Sequence, residues 1–340
     1  MTRRTVFLMG VAGAAGCARG GRRLNIFNWS SYVAPDTIPN FEREFNLRVR
    51  YAVYESNEEM LARVMTGNSG WDVVFPTNYL IEPMRQMSLL AALDHARLPN
   101  LVELDTPFQK PAWDPALRWS IPYMWLATGI AYNKKLTAAP TAWRDMWDAR
   151  NAGRMTMLDD PVDVFAACLK KLGRSMNTGA ENILRDAQHE AIRQKPLLRA
   201  YLNAEVRDQL VSGDVAIAQL WSTTTQQAID SAPHLGFVYP AEGFALYPDC
   251  SVVLAESPRK EIAHEFLNYL LRPKVAADIV EASRVAPANG GARKLLPPNI
   301  LAMPTLFPPA EVLSRGEWAQ ASTAAVQRLR DRLWTEVKSS

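Results

Sequence analysis

Cysteine and histidine are scarce in this chain, which has three Cys and four His in 340 residues. Numbers so low, at such wide spacing, outline neither a zinc-finger ligand set nor a disulfide scaffold. A dominant sign of charge is missing too. Lys+Arg 38 against Asp+Glu 35 leaves a net charge of +3. The pI near 8.7 is a small excess, not the dense basic stripe that nucleic-acid binding needs. Beyond the first residues, no apolar run approaches the roughly 20 residues of a membrane-spanning helix. Several catalytic signatures are absent: the G-x-S-x-G elbow, the G-x-x-x-x-G-K-S/T phosphate loop, the H-E-x-x-H helix and a G-x-G-x-x-G after the first strand. None of what remains calls for a cofactor, and the balance leans toward binding. What is present is ordinary soluble composition, 48% hydrophobic and 21% charged, enough for about two domains at roughly 150 residues each.

The first residues read as an export segment rather than as part of the fold. Arg3 and Arg4 form a charged start, Val6 to Ala15 is a short apolar run, and Ala14-Ala15-Gly16-Cys17 closes it. This resembles a bacterial lipoprotein signal, with Cys17 as the acylated residue and Ala14 where a larger aliphatic residue is usual. Arg3-Arg4-Thr5-Val6-Phe7 also fits the twin-arginine pattern, so both export routes stay open. Residues 1–23 are assigned to the signal and lipid-anchor segment. Cleavage before Cys17 lowers the net charge from +3 to +1. The expected location is periplasmic or cell-surface, anchored to the bilayer. Cys168 and Cys250 are then the cysteines of the folded part, read as two buried thiols in preference to a bridge.

From Leu24 onward strands and helices alternate. Leu24 to Asn28 reads as a strand, Asp36 caps a helix to Phe45, and Val49, Tyr51 and Val53 alternate along a second strand. Ser56-Asn57-Glu58-Glu59 is a capping box for a helix ending at Gly67, and Trp71 to Phe75 is a third strand. This βαβαβ order predicts an α/β fold with a mostly parallel sheet. A second series begins near Thr128. It has strands at Met155 to Leu158 and Val215 to Leu220, and helices opened by Asp159-Asp160-Pro161 and across Thr224 to Ile229. Ser251 to Leu254 is read as a further strand before a helix from Glu261, and Ala319 to Val337 as a closing helix. Ile121-Pro122-Tyr123-Met124 is the expected first crossing between the two series.

In open α/β sheets, ligands sit beyond the carboxyl ends of the strands. Those positions hold Trp29, Ser30 and Tyr32, then Thr77 and Tyr79, then Asp160 with Asp163, Trp221, and finally Tyr247 and Asp249. Three carboxylates and several aromatic rings, with no Lys or Arg, suit a cation on a hydrocarbon body. Ring faces cover methylenes and carboxylates accept from ammonium groups. Each residue also has a plain structural role open to it. Asp160 is a natural N-cap, Asp163 a first-turn acid, the Trp residues core, and Asp249 a turn residue.

Asn28-Trp29-Ser30-Ser31-Tyr32-Val33, Tyr54-Glu55-Ser56-Asn57-Glu58 and Asp72-Val73-Val74-Phe75-Pro76-Thr77 resemble the bacterial periplasmic spermidine/putrescine-binding proteins. Ile121 to Trp125, Leu158-Asp159-Asp160 with Val164-Phe165, Phe266 to Pro273 and Ala292 to Leu296 match the same family in order. The resemblance implies a two-lobed solute-binding protein of type II-like architecture. A cleft between its lobes takes a polyamine for delivery to the permease subunits of an ABC importer. It implies no enzyme activity and no nucleic-acid partner. It also implies ligand-contacting roles for nine of the ten strand-end residues named above, all but Ser30, which rests on its strand-end position alone. Residues 24–125 with 251–312 are expected to form one lobe, and 126–250 with 313–340 the other. The family's frequent acid between the first Trp and Tyr is Ser31 here, an aromatic contact is Val285 and a late Gln is Ala319. With three acids in place of four, a diamine is expected to compete better here than in a four-acid site. Another cationic or zwitterionic solute, such as an opine or amino-acid conjugate, stays open in the same architecture. So does a degenerate exported enzyme using Asp160 and Asp163 as an acid/base pair. Thiamine is less expected. So is ferric iron, because the sequence shows no clustered Tyr or His donors.

Overall fold

Strand β1 (Arg23–Trp29) is buried through its centre on both faces, as parallel strands under helices are. It opens a computed structural model that describes residues 22–340. Cys17 and the export segment through residue 21 lie outside the described residues. Arg22 already belongs to the fold, because its guanidinium meets Glu265 at 2.6 Å. β2 (Arg48–Tyr54) and β3 (Val73–Val74) flank β1 in parallel register, Ile26 opposite both Tyr51 and Val73. β2 is an edge strand, and Val53, expected on a buried face, is 46% exposed. In the Asn57–Met65 helix, Ser56 caps as expected by accepting from the Glu59 N–H. The Glu59 carboxylate bonds the Glu55 N–H, not the Ser56 N–H, so the box is shifted by one residue.

The crossing expected at Ile121 is a 13-residue strand, β4 (Ile121–Asn133). The other half of the sheet is β5 (Met155–Met157), β6 (Leu198–Tyr201), β7 (Ile217–Trp221) and β8 (Leu235–Val238). β9 (Phe244–Val253) then runs back antiparallel to β4, and β10 (Ala286–Pro287) and β11 (Gly316–Trp318) add short pairings. β4 pairs with β9 and β10 over its first half, and with β7 and β8 over its second. The ladder therefore runs unbroken in the order β2-β1-β3-β9-β4-β7-β5-β6. The cores do not merge in the same way. One gathers Ile26, Phe41, Val73, Phe266 and Val280, and another Ile130, Trp143, Phe165, Leu184 and Leu333. Two lobes thus share two long strands. Phe244 and Leu246 of β9 pack into the first core. The Ala324–Ser339 helix delivers Leu333 and Val337 to the second.

β9 departs from the sequence reading. It starts at Phe244, so Tyr247 and Asp249 lie inside the strand rather than before it. Pro248 and the acid at 249 interrupt an otherwise apolar run, and proline inside a strand argues against one. All ten β9 residues are nonetheless buried. Cys168 and Cys250 are free, buried thiols in different cores.

Candidate binding cleft

A cleft forms where the carboxyl ends of β1, β3 and β7 face the start of the Pro161–Lys171 helix and the middle of β9. On the first side, Trp29 donates from Nε1 to the Phe75 carbonyl at 2.7 Å, and its ring lies 4.6 Å from that of Tyr54. Tyr32 is held by Tyr123, whose hydroxyl donates to the Tyr32 carbonyl at 2.6 Å. The Tyr32 hydroxyl donates to Asp249 Oδ2 at 2.8 Å, and Thr77 Oγ1 donates to Asp249 Oδ1 at 2.7 Å. Asn57 supports this side by donating to Thr77 Oγ1 and to the Tyr79 oxygen, at 3.0 and 2.8 Å.

On the second side, Asp160 caps its helix by accepting from the Val162 and Asp163 N–H groups at 2.7 and 3.1 Å. The plain cap role holds, and the residue also lines the cleft. Asp163 is one turn further on. Its Oδ1 accepts from Thr128 Oγ1 and the Tyr247 hydroxyl at 2.6 and 2.9 Å, and its Oδ2 from Trp221 Nε1 at 3.0 Å. That carboxylate is a three-point clamp on two rings and a strand.

Asp160, Asp163 and Asp249 enter no ion pair among the described residues. No Lys, Arg or His among the described residues lines the cleft. Elsewhere two buried acids have cations, Asp72 with Arg259 and Glu190 with Lys171 and Arg193, while a third, Asp114, is held by three backbone N–H groups and the Ser120 hydroxyl. The cleft acids are left with neutral donors only. Burial pushes Asp249 up to about 7, against the downward pull of Thr77 and Tyr32. Burial likewise raises Asp160, with the charges of Asp163 and Glu58 adding to it, and raises Asp163 against its three hydrogen bonds. An uncompensated buried charge costs several kcal/mol unless a cation arrives.

Residues 37–308 match the profile of the bacterial extracellular solute-binding protein family. The chain belongs to that family. The putrescine-binding periplasmic protein of Escherichia coli (strain K12) is 33% identical over 340 residues, covering 94% of this chain and 92% of the relative. The spermidine/putrescine-binding periplasmic protein of the same strain is 31% identical over 329 residues, covering 96% and 94%. Among solved structures, a lipoprotein of Treponema pallidum superposes with a TM-score of 0.84 at 26% identity, covering 93% of this chain and 99% of its own.

Within this bacterial extracellular solute-binding protein, all ten strand-end residues singled out in the sequence, from Trp29 to Asp249, line one cleft. Ser31 does not. It is exposed, in a left-handed conformation with φ of 56°, outside the lining. Val285 and Ala319 are buried outside the lining, Ala319 directly behind the wall, packed with Tyr247, Tyr79 and Leu126. Glu55, Asn57, Leu126, Thr223 and Thr224 also line it and were not singled out. Thr223 and Thr224 come two and three residues after Trp221, within reach of the strand-end rule; Asn57 is hidden by its place in the capping motif. Leu126 sits inside a crossing strand and gave no signal. The expectation of no tyrosine cluster fails, since Tyr32, Tyr79 and Tyr247 converge here. Burial and the adjoining carboxylates hold all three hydroxyls well above 10, so they are neutral donors rather than the phenolates that ferric iron favours.

Proposed function

We propose that this protein captures a polyamine, putrescine or spermidine, in its cleft and delivers it to the permease subunits of an ABC importer. One observation carries the reading: three carboxylates, Asp163 and Asp249 buried and Asp160 half-buried, face a cleft walled by Trp29, Trp221, Tyr32, Tyr79 and Tyr247, with no cationic side chain in the lining among the described residues. Ammonium groups donate charge-assisted hydrogen bonds to Asp160, Asp163 and Asp249, while ring faces cover the methylenes between them. Thr77 and Ser30 supply polar edges. The names of the two Escherichia coli relatives support the same substrate class. The protein works outside the cytoplasm, periplasmic or at the cell surface. Cys17 anchors it to the bilayer, a role that lies outside the described residues. It is not an enzyme in this reading: Asp160 and Asp163 stand one turn apart at the start of a single helix rather than astride a bond.

The moving bodies are residues 24–125 with 251–312, and 126–250 with 313–340, apart from Phe244 and Leu246 of β9, which pack with the first. β4 and β9 are the strands that bend between them. Closure brings Asp160 and Asp163 against the Trp29 side once a cation offsets their repulsion.

Thermal denaturation with candidate solutes tests the reading. A ligand at a hundred times its Kd stabilises by about 2.7 kcal/mol. Putrescine or spermidine should raise the Tm, with no shift from thiamine or opines. A shift with an opine and none with either amine would reverse the assignment.

Proton linkage gives a second expected outcome. The unfolded chain titrates Asp near 3.9, whereas the ligand-free fold holds Asp249 at about 7. The fold therefore binds this proton more tightly. Its contribution to stability is complete below about pH 4 and is lost as pH rises through 7. Asp160 and Asp163, also raised, act in the same direction. A bound ammonium favours the carboxylates instead, so amine affinity should grow from pH 5.5 to 8, with protons released on binding near pH 6.5. Calorimetry in buffers of different ionisation enthalpy reads that release. Affinity independent of pH over this range would contradict it.

A further inference from the structure

The cleft carries a fourth carboxylate, and its position differs from the one the sequence resemblance implied. Ser31 faces solvent, whereas Glu55, the residue after β2, lines the cleft. Resting on the polyamine reading above, we propose that Glu55 is the specificity-determining residue at the cleft mouth. There it takes the outermost ammonium of a triamine, which a diamine held by the inner acids does not reach.

The local structure builds this position. Tyr54, just before Glu55, is buried, with its hydroxyl donating to the Phe75 carbonyl at 2.7 Å and its ring against Trp29. The Glu55 N–H is held by Glu59 Oε2 at 3.1 Å. Ser30 Oγ donates to Glu55 Oε2 at 3.1 Å, joining the loops after β1 and β2 across the mouth. Glu55 Oε1 has no hydrogen-bond partner and the side chain no ion pair among the described residues. Depth then separates two kinds of acid. Asp163 and Asp249 are each 3% exposed, while Glu55 is open to solvent. A chain cation with one end among the deep acids and a further amine along its length brings that amine outward to Glu55. A shorter diamine ends among the inner acids. An ammonium at Glu55 stays partly hydrated, so the pairing is weak in absolute terms and acts as a discriminator between lengths.

The experiment is calorimetric titration of wild type, Glu55→Gln, Glu55→Asp and Ser31→Asp with putrescine and with spermidine at fixed salt. Expected for Glu55→Gln is about a three- to fivefold loss of spermidine affinity and under twofold for putrescine, the size of an exposed ion pair. Glu55→Asp should recover part of the spermidine loss, and Ser31→Asp should leave the ratio unchanged. An unaltered spermidine-to-putrescine ratio in Glu55→Gln, with both amines still binding wild type, overturns the role of Glu55 alone. A Ser31→Asp variant that shifts the ratio while Glu55→Gln does not would return the role to Ser31. Wild type that binds neither amine overturns the polyamine reading together with this inference.

Discussion

Asp249→Asn is expected to weaken amine binding by about 2–5 kcal/mol, roughly thirtyfold or more, while leaving the ligand-free fold as stable as before or more so. The two effects separate because Asp249 is a buried acid with hydroxyl partners only, Thr77 and Tyr32. In the empty cleft its charge is a liability, which is why burial raises it to about 7. Asparagine keeps an oxygen for one of those hydroxyls and removes the charge. With ligand bound, the lost carboxylate leaves an ammonium unpaired in a closed site, a heavy penalty. Titration calorimetry and thermal denaturation of the same preparation read both quantities. Unchanged affinity would make Asp249 an ordinary strand residue, and a large drop in ligand-free Tm would make it structural.

Asp163→Ala is expected to fail in both respects. This carboxylate satisfies Trp221 Nε1, the Tyr247 hydroxyl and Thr128 Oγ1. Truncation orphans three donors in a largely dry place, at about 1–3 kcal/mol for each that water does not reach. The Trp221 ring also loses the bond that aims it into the cleft. Binding should fall by at least the amount seen for Asp249→Asn, and the Tm of the ligand-free protein should fall too. Asp163→Asn, which retains one acceptor, is the partial rescue: stability recovers more than affinity. Equal Tm for Asp163→Ala and wild type would mean that the clamp contributes nothing to the fold.

The contrast between these two aspartates also marks what could be read from sequence. Asp160-Pro161 and Ser56 sit at helix starts, where a local hydrogen bond to the next turn decides the structure, and both caps form as read. β1 is legible because a short apolar run before a polar turn has few other fates. β9 is not, because Pro248 and Asp249 break the run and only β11, β4 and β3 alongside it make ten residues a strand. The strand-end rule brought Trp29, Tyr32, Thr77, Tyr79, Asp160, Asp163 and Trp221 to one place because chain topology fixes where strand ends meet. It could not tell Ser31 from Glu55. That difference depends on a left-handed turn at Ser31, which sends the side chain outward, and on the Ser30–Glu55 bond between two loops 25 residues apart. The tyrosine cluster follows from the strand-end rule itself, which puts Tyr32, Tyr79 and Tyr247 at one site although 47 and 168 positions separate them.

The central claim is that the uncompensated carboxylates of the cleft take a cation with two charged ends. The direct measurement is calorimetric titration of ligand-stripped wild-type protein with putrescine, n-butylamine and 1,4-butanediol, three four-carbon solutes carrying two charges, one and none. The account predicts one-to-one binding of putrescine, binding of n-butylamine weaker by tenfold or more, and no heat of binding from the diol. Diol or monoamine bound as tightly as putrescine would contradict it, because hydrocarbon contact and not the three aspartates would then select the ligand.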